Sequence, residues 1–117
     1  MMHYKSPKWL DDIASAAAFV LEKTEGIGLD DYQADLFRRY AVERTFEIMG
    51  EALLRIERTD PGTAARISDY RQVIGLRNRL AHGYDDIDNR RVLAIAHDFL
   101  PQLKAEVEEL LREVGEP

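Results

Sequence analysis

Apolar residues along this chain recur at spacings of three and four, and no stretch alternates cleanly between apolar and polar. That period belongs to helices, because side chains step about 100° around an α-helix and 180° along a strand. The first run opens at Ser6-Pro7, which reads as an N-cap followed by proline in the first turn. It extends to about Glu25, with Leu10, Ile13, Ala17, Val20 and Leu21 on one side, and Gly26 and Gly28 then break it. Asp30 or Asp31 caps a longer second helix running to about Thr59, where Asp60-Pro61-Gly62 stops it.

The second helix has an unusually wide apolar stripe. Phe37, Ala41, Ile48, Ala52 and Ile56 lie on it, with Val42, Phe46, Met49 and Leu53 beside them. Such width predicts burial on two sides. Glu43, Glu47 and Glu51 form a carboxylate row that would repel itself unless relieved by Arg44 and Arg55, three and four residues from Glu47 and Glu51. A solvated face is the simplest account of that row. Gly50 costs helix stability, so a second helix is expected to approach closely there.

Pro61 starts a short helical piece, and Ser68 is placed to cap the helix "DYRQVIGLRNRLAH". Its apolar side carries Tyr70, Val73, Ile74, Leu80 and Ala81, and Gly83 ends it where a left-handed residue is expected. "YDDID" reads as a turn and Asp88 as the next N-cap. A final helical region follows from Asn89 to about Val114, which Pro101 should kink or break near Leu100. The pattern predicts an all-α protein, a bundle of four or five helices.

Composition narrows the picture. The 117 residues suit one domain, 1–117, and the hydrophobic fraction of 45% with 7 Gly and 4 Pro fits a packed fold. With no cysteine, disulfides and thiolate metal sites are excluded, which is compatible with a reducing cytoplasm. "IASAAAFVL" imitates a leader peptide, but Asp11 and Asp12 precede it and it is shorter than the ~20 residues that span a bilayer. It reads as the buried stripe of the first helix of an intracellular protein. A net charge of −6 argues against bulk electrostatic binding of nucleic acid, so any RNA contact must come from a local basic patch.

Neither the histidines nor the acidic turn suggest a metal. His3, His82 and His97 do not pair at the spacing of a helical metal site, and "DDIDNRR" lacks the glycine and closing glutamate of a calcium loop. His97 sits in apolar "VLAIAHDFL" and reads as structural. His82 has different neighbours, in "RNRLAHGY" (77–84). Arg77 and His82 are five positions apart, about 140° around a straight helix. Spacing alone favours a His82 that caps the last carbonyls and interacts with the helix dipole. The same residues could instead handle phosphate: Arg77 as a planar donor fork, His82 as a proton carrier and Asn78 as the residue that orients them. Arg79, Arg90 and Arg91 would add local positive charge against Asp85, Asp86 and Asp88.

Arg77-x-x-x-x-His82-x-Tyr84 resembles the signature of HEPN-domain proteins, and specifically of HepT-like toxins. Asn78 matches the polar residue that commonly follows the arginine. The resemblance extends through "AVERTFEIMGEAL" (41–53), "IGLRNRLAHGY" (74–84) and the ending "DFLPQLKAEVEEL", nearly the whole chain. It implies a HEPN-like helical bundle that forms a homodimer with both motifs facing one cleft, and a metal-independent endoribonuclease needing no cofactor. Arg77, His82 and Asn78 would be catalytic; Arg79, Arg90 and Arg91 would contact RNA through the local positive charge described above, which the resemblance does not itself assign. It further implies a toxin partnered by a minimal nucleotidyltransferase antitoxin, MntA, which silences it by transferring AMP to Tyr84. The alternative is a catalytically silent HEPN subunit that docks a nucleotidyltransferase and contributes to nucleotide binding.

Overall fold

The computed structural model describes residues 1–83 and 87–115. Every regular element among them is helical: α1 (Ser6–Thr24), α2 (Leu29–Ala34), α3 (Leu36–Thr59), α4 (Pro61–Ala64), α5 (Tyr70–Ala81), α6 (Asn89–Ala94), a π-helical turn (Ile95–Phe99) and α7 (Leu100–Gly115). The principal packing pairs are α1 with α3, α3 with α5, and α1 with α7, giving the order α5–α3–α1–α7 across the bundle. The all-α bundle expected from periodicity is therefore what forms.

One apolar core joins these helices. Leu10, Ile13, Ala17 and Val20 from α1 are buried with Val42, Phe46, Met49, Leu53 and Ile56 from α3. Val73, Ile74 and Leu76 of α5 and Leu100, Leu103, Val107 and Leu110 of α7 complete it. Each fully buried Leu, Ile or Phe contributes roughly 1.5–3 kcal/mol relative to an exposed one, so these stripes dominate the association of the helices. Among the described residues, no helix is long and apolar enough to cross a membrane.

Several helix ends follow their local signals. Gly26 and Gly83 have positive φ, at 68° and 64°, and Gly83 sits where α5 unwinds. The Asp88 side chain accepts from the amides of Arg90 and Arg91 at the start of α6, and Asp60 accepts from the Thr63 amide at the start of α4.

Five expectations need correcting. Neither Asp30 nor Asp31 caps a helix; both lie in the first turn of α2, whose N-cap is Gly28. Ser6 does not cap α1; the N-cap is Lys5, and the Ser6 hydroxyl donates to Asp60 at 2.8 Å across the fold. Ser68 does not cap α5 either. Asp69, at φ 58°, is the N-cap, while the Ser68 amide and hydroxyl donate to the Glu106 carboxylate at 2.7 and 2.8 Å. The second helix is two helices, because Asp35 leaves helical geometry (φ −99°, ψ 87°) and its carboxylate accepts from the Arg38 amide. Those amide and guanidinium bonds from Arg38 hold the Asp35 carboxyl below the usual aspartate range.

Pro101 neither breaks nor ends the last helix. The turn before it widens into the π form, with the Leu100 amide bonding to the Ile95 carbonyl five residues back. A π turn shifts the hydrogen-bond register by one residue, and the chain passes through the proline with its ladder offset rather than broken. The same turn presents His97, whose Nε2–H donates to the Thr24 carbonyl at 2.8 Å and so ties the end of α1 to the last helix.

The wide stripe of α3 is buried on two sides, against α1 and α5, while a third face stays open. Val42, Phe46, Met49, Leu53 and Ile56 are buried, but Phe37 is 92% exposed, Tyr40 59% and Ile48 44%. These three leave an apolar strip of α3 exposed.

Candidate functional site

The motif arginine is positioned by the meeting of α3 and α5. Gly50 of α3 is buried under Arg77 of α5, and a Cβ built at position 50 would stand 2.3 Å from Arg77 Cβ and 2.8 Å from its Cγ. Only a residue without a side chain permits this approach. The close contact brings the Arg77 guanidinium to Glu51, the residue after the glycine, with Nη2 donating to Oε2 at 2.6 Å. On its other side Nη1 donates to Asn78 Oδ1 at 3.1 Å. Arg77 is mostly buried and held by two acceptors, so its fork has a defined direction.

Glu51 belongs to the carboxylate row, and the relief expected there is present. Arg44 reaches Glu47 and Arg55 reaches Glu51, each at 3.8 Å. Glu43, further along, is half-buried, and burial raises its carboxyl more than the Arg39 charge lowers it. What sequence reasoning missed is the second partner of Glu51. The available signal was Gly50 itself: if a helix crosses closely there, the adjacent glutamate must meet that helix too.

The two sides of α5 differ in charge. On the α3 side, a depression of ≈ 340 Å³ is lined by Arg77, Arg44 and Arg55 against Asp12, Glu47 and Glu51, with exposed Ile48 at its edge. On the α6 side, a groove of ≈ 450 Å³ includes Asn78, Arg79 and Arg91, with Asp88 the only acidic residue in its lining among the described residues. Of the three arginines expected to form a basic patch, Arg79 and Arg91 share this lining. Arg90 lies exposed on the first turn of α6, outside that lining.

His82 is the C-cap of α5 and exposed (φ −85°, ψ 2°). Its amide donates to the Asn78 carbonyl at 3.2 Å, so it stacks one turn beyond Asn78 on the same row. Arg77 faces α3, and Asn78 stands between the two, bonded to the arginine through its side chain and to His82 through its carbonyl. Tyr84, Asp85 and Asp86, including the residue expected to accept AMP, lie outside the described residues. Among the described residues, no group of three or more His, Asp or Glu side chains could hold a metal ion.

Comparison with known proteins places this geometry in a family. The chain is 31% identical over 105 residues to a protein named "Probable ribonuclease HepT" from Thermococcus cleftensis, covering 87% of this chain and 92% of that one. It is 34% identical over 100 residues to a Methanocaldococcus jannaschii protein provisionally named an RNase, covering 86% and 91%. A Caldanaerobacter subterraneus protein, also provisionally named an RNase, is 26% identical over 109 residues, covering 92% and 96%. No solved structure matches the chain significantly. Residues 13–110 match the family described as Ribonuclease HepT-like, and this span holds Gly50, Glu51 and the whole Arg77–Tyr84 motif; the chain belongs to the HepT-like ribonucleases.

Proposed function

We propose that this protein is a metal-independent endoribonuclease toxin of the cytoplasm. It acts as a homodimer and is silenced when an MntA-like nucleotidyltransferase antitoxin transfers AMP to Tyr84. The observation that carries the reading is the Arg77 fork, oriented by Glu51 and Asn78 next to the row that ends in His82.

In the reaction a base removes the proton of a ribose 2′-hydroxyl, and the oxygen attacks the adjacent phosphorus. The 5′-oxygen leaves with a proton from an acid, giving a 2′,3′-cyclic phosphate and a 5′-hydroxyl end. Arg77 stabilises the charge that gathers on the non-bridging oxygens, and His82 exchanges protons. One protomer supplies a single histidine in the motif, whereas the reaction uses both a base and an acid; two copies supply two.

The uncovered face of α3 supports that pairing. Phe37, Tyr40 and Ile48 form an exposed stripe, and Ile48 also edges the depression that contains Arg77. A second copy seated on this stripe would bring the two arginines toward one cleft. AMP on Tyr84, two residues beyond His82, would add bulk and negative charge beside the motif and oppose RNA by sterics and repulsion.

The test is induced expression of the wild type and His82→Ala, with growth and total RNA integrity followed together. Growth arrest with RNA breakdown in the wild type alone is expected, relieved by co-expression of the nucleotidyltransferase with a mass gain of one AMP on Tyr84. Equal growth with intact RNA in a host lacking the antitoxin would overturn the toxin and favour a silent docking subunit.

A further inference from the structure

Gly75 lies in the middle of α5, a position where glycine weakens a helix relative to alanine. Unlike Gly50, it has no internal reason to be there. A Cβ at position 75 would meet nothing within 4 Å, and its φ is not in the left-handed region. The space above it is instead the floor of the groove between α5 and α6.

That groove has the features of a nucleotide site. Its volume of ≈ 450 Å³ falls in the range of small-molecule pockets. Leu76 and Ile87 give it apolar surface, while Arg71, Arg79 and Arg91 line it with positive charge on a chain whose net charge is −6. The walls are braced. Arg91 donates to Gln72 across the groove, and Arg71 pairs with Glu57 at 3.0 Å. Arg71, Gly75, Asn78 and His82 follow one another at four, three and four residues, a single row along α5. The row connects the groove to the motif histidine.

We propose that this groove is a ribonucleotide subsite, holding the nucleotide next to the scissile phosphate. The strand runs along α5 from His82 over the bare backbone of Gly75. Arg79 and Arg91 hold its phosphates, and Leu76 and Ile87 face its sugar and base. The proposal rests on the ribonuclease reading for its substrate class, but its test does not require cleavage.

The probe is a single-stranded RNA tetramer carrying 2′-O-methyl groups, which cannot be cut by 2′-hydroxyl attack. Its affinity would be measured over a range of salt for the wild type, Gly75→Leu, Arg91→Ala and, as a charged control outside the groove, Arg58→Ala. Gly75→Leu should weaken binding about tenfold without lowering Tm, since a Cβ at this position meets nothing within 4 Å and leucine favours the helix. Arg91→Ala should weaken binding and reduce the slope of log K against log salt by about one, as expected for one lost phosphate contact. Arg58→Ala should bind as the wild type does.

Equal affinity in the wild type, Gly75→Leu and Arg91→Ala would overturn the subsite, as would a wild type that does not bind the tetramer. If unmodified RNA were cut at an unchanged KM by both groove variants, the nuclease would stand and the subsite would fall. If the wild type cut nothing but lost tetramer binding on Gly75→Leu, the subsite would stand and the nuclease would fall.

Discussion

Gly50 lies directly beneath Arg77, so close that even a methyl group at position 50 would come within 2.3 Å of the arginine Cβ. The atoms in the way are the Cβ of a helical residue and, at 3.3 Å, the backbone oxygen of Val73, neither of which can swing aside. Gly50→Ala should therefore push α5 off α3 although alanine is the better helix former. The ~1 kcal/mol gained in propensity is set against roughly 1–3 kcal/mol of overpacking. A lower denaturation midpoint and a loss of RNA cleavage exceeding the loss of fold are expected, read by urea titration beside a cleavage assay.

Glu51 turns that close packing into direction. Replacing it by Gln keeps the shape and removes the charge that faces Arg77 at 2.6 Å. Because the pair is partly exposed, stability should change by no more than about 1 kcal/mol. On the proposed role of Arg77, cleavage should fall roughly 10- to 100-fold, since misplacing a group that acts on the reacting phosphate costs more than its contact energy. A variant with wild-type kcat and KM would show that Arg77 does not depend on this carboxylate.

The exposed α3 stripe makes a prediction about assembly. Phe37→Asp together with Ile48→Asp should leave the helical content unchanged, because both side chains lie outside the core. The same change should yield a monomer by light scattering and abolish cleavage. A wild type that is itself a monomer would overturn the proposed homodimer, and a double variant that still pairs would place the contact elsewhere.

Asp60 gathers the N-terminus and the start of α4. It accepts from the His3 amide at 2.9 Å, the Ser6 hydroxyl at 2.8 Å and the Thr63 hydroxyl at 2.7 Å. Burial pushes its carboxyl up, but the bonds from Thr63, His3 and Ser6 outweigh it and bring the pKa down to about 2. A pKa lowered on folding contributes stability that is present above the unfolded value near 4 and is lost as pH falls toward 2. Asp60→Asn should cost roughly 2 kcal/mol at neutral pH. The difference from the wild type should shrink between pH 4 and pH 2. A gap that stays constant over that window would mean the carboxylate charge is not what stabilises this corner.

Much of the architecture was set by short-range chemistry and could be read from the chain. Helical periodicity, Asp60-Pro61, the Asp88 cap and the glycines at 26 and 83 act within a turn or two of themselves, and each does locally what its residue type allows. Even Gly50 announced a close crossing, though not which helix crosses. Other features depended on partners far away in sequence. Ser6 and Ser68 have side chains fit for capping, but their hydroxyls bond to Asp60 and Glu106, 54 and 38 residues away, because folding brings stronger anionic acceptors within reach. Pro101 passes through a helix because the turn before it can widen. Glu51 looked like one member of a solvated row until α5 arrived against it. A sequence determines what each side chain is able to bond; only the tertiary structure decides which of the competing partners stands within 3 Å.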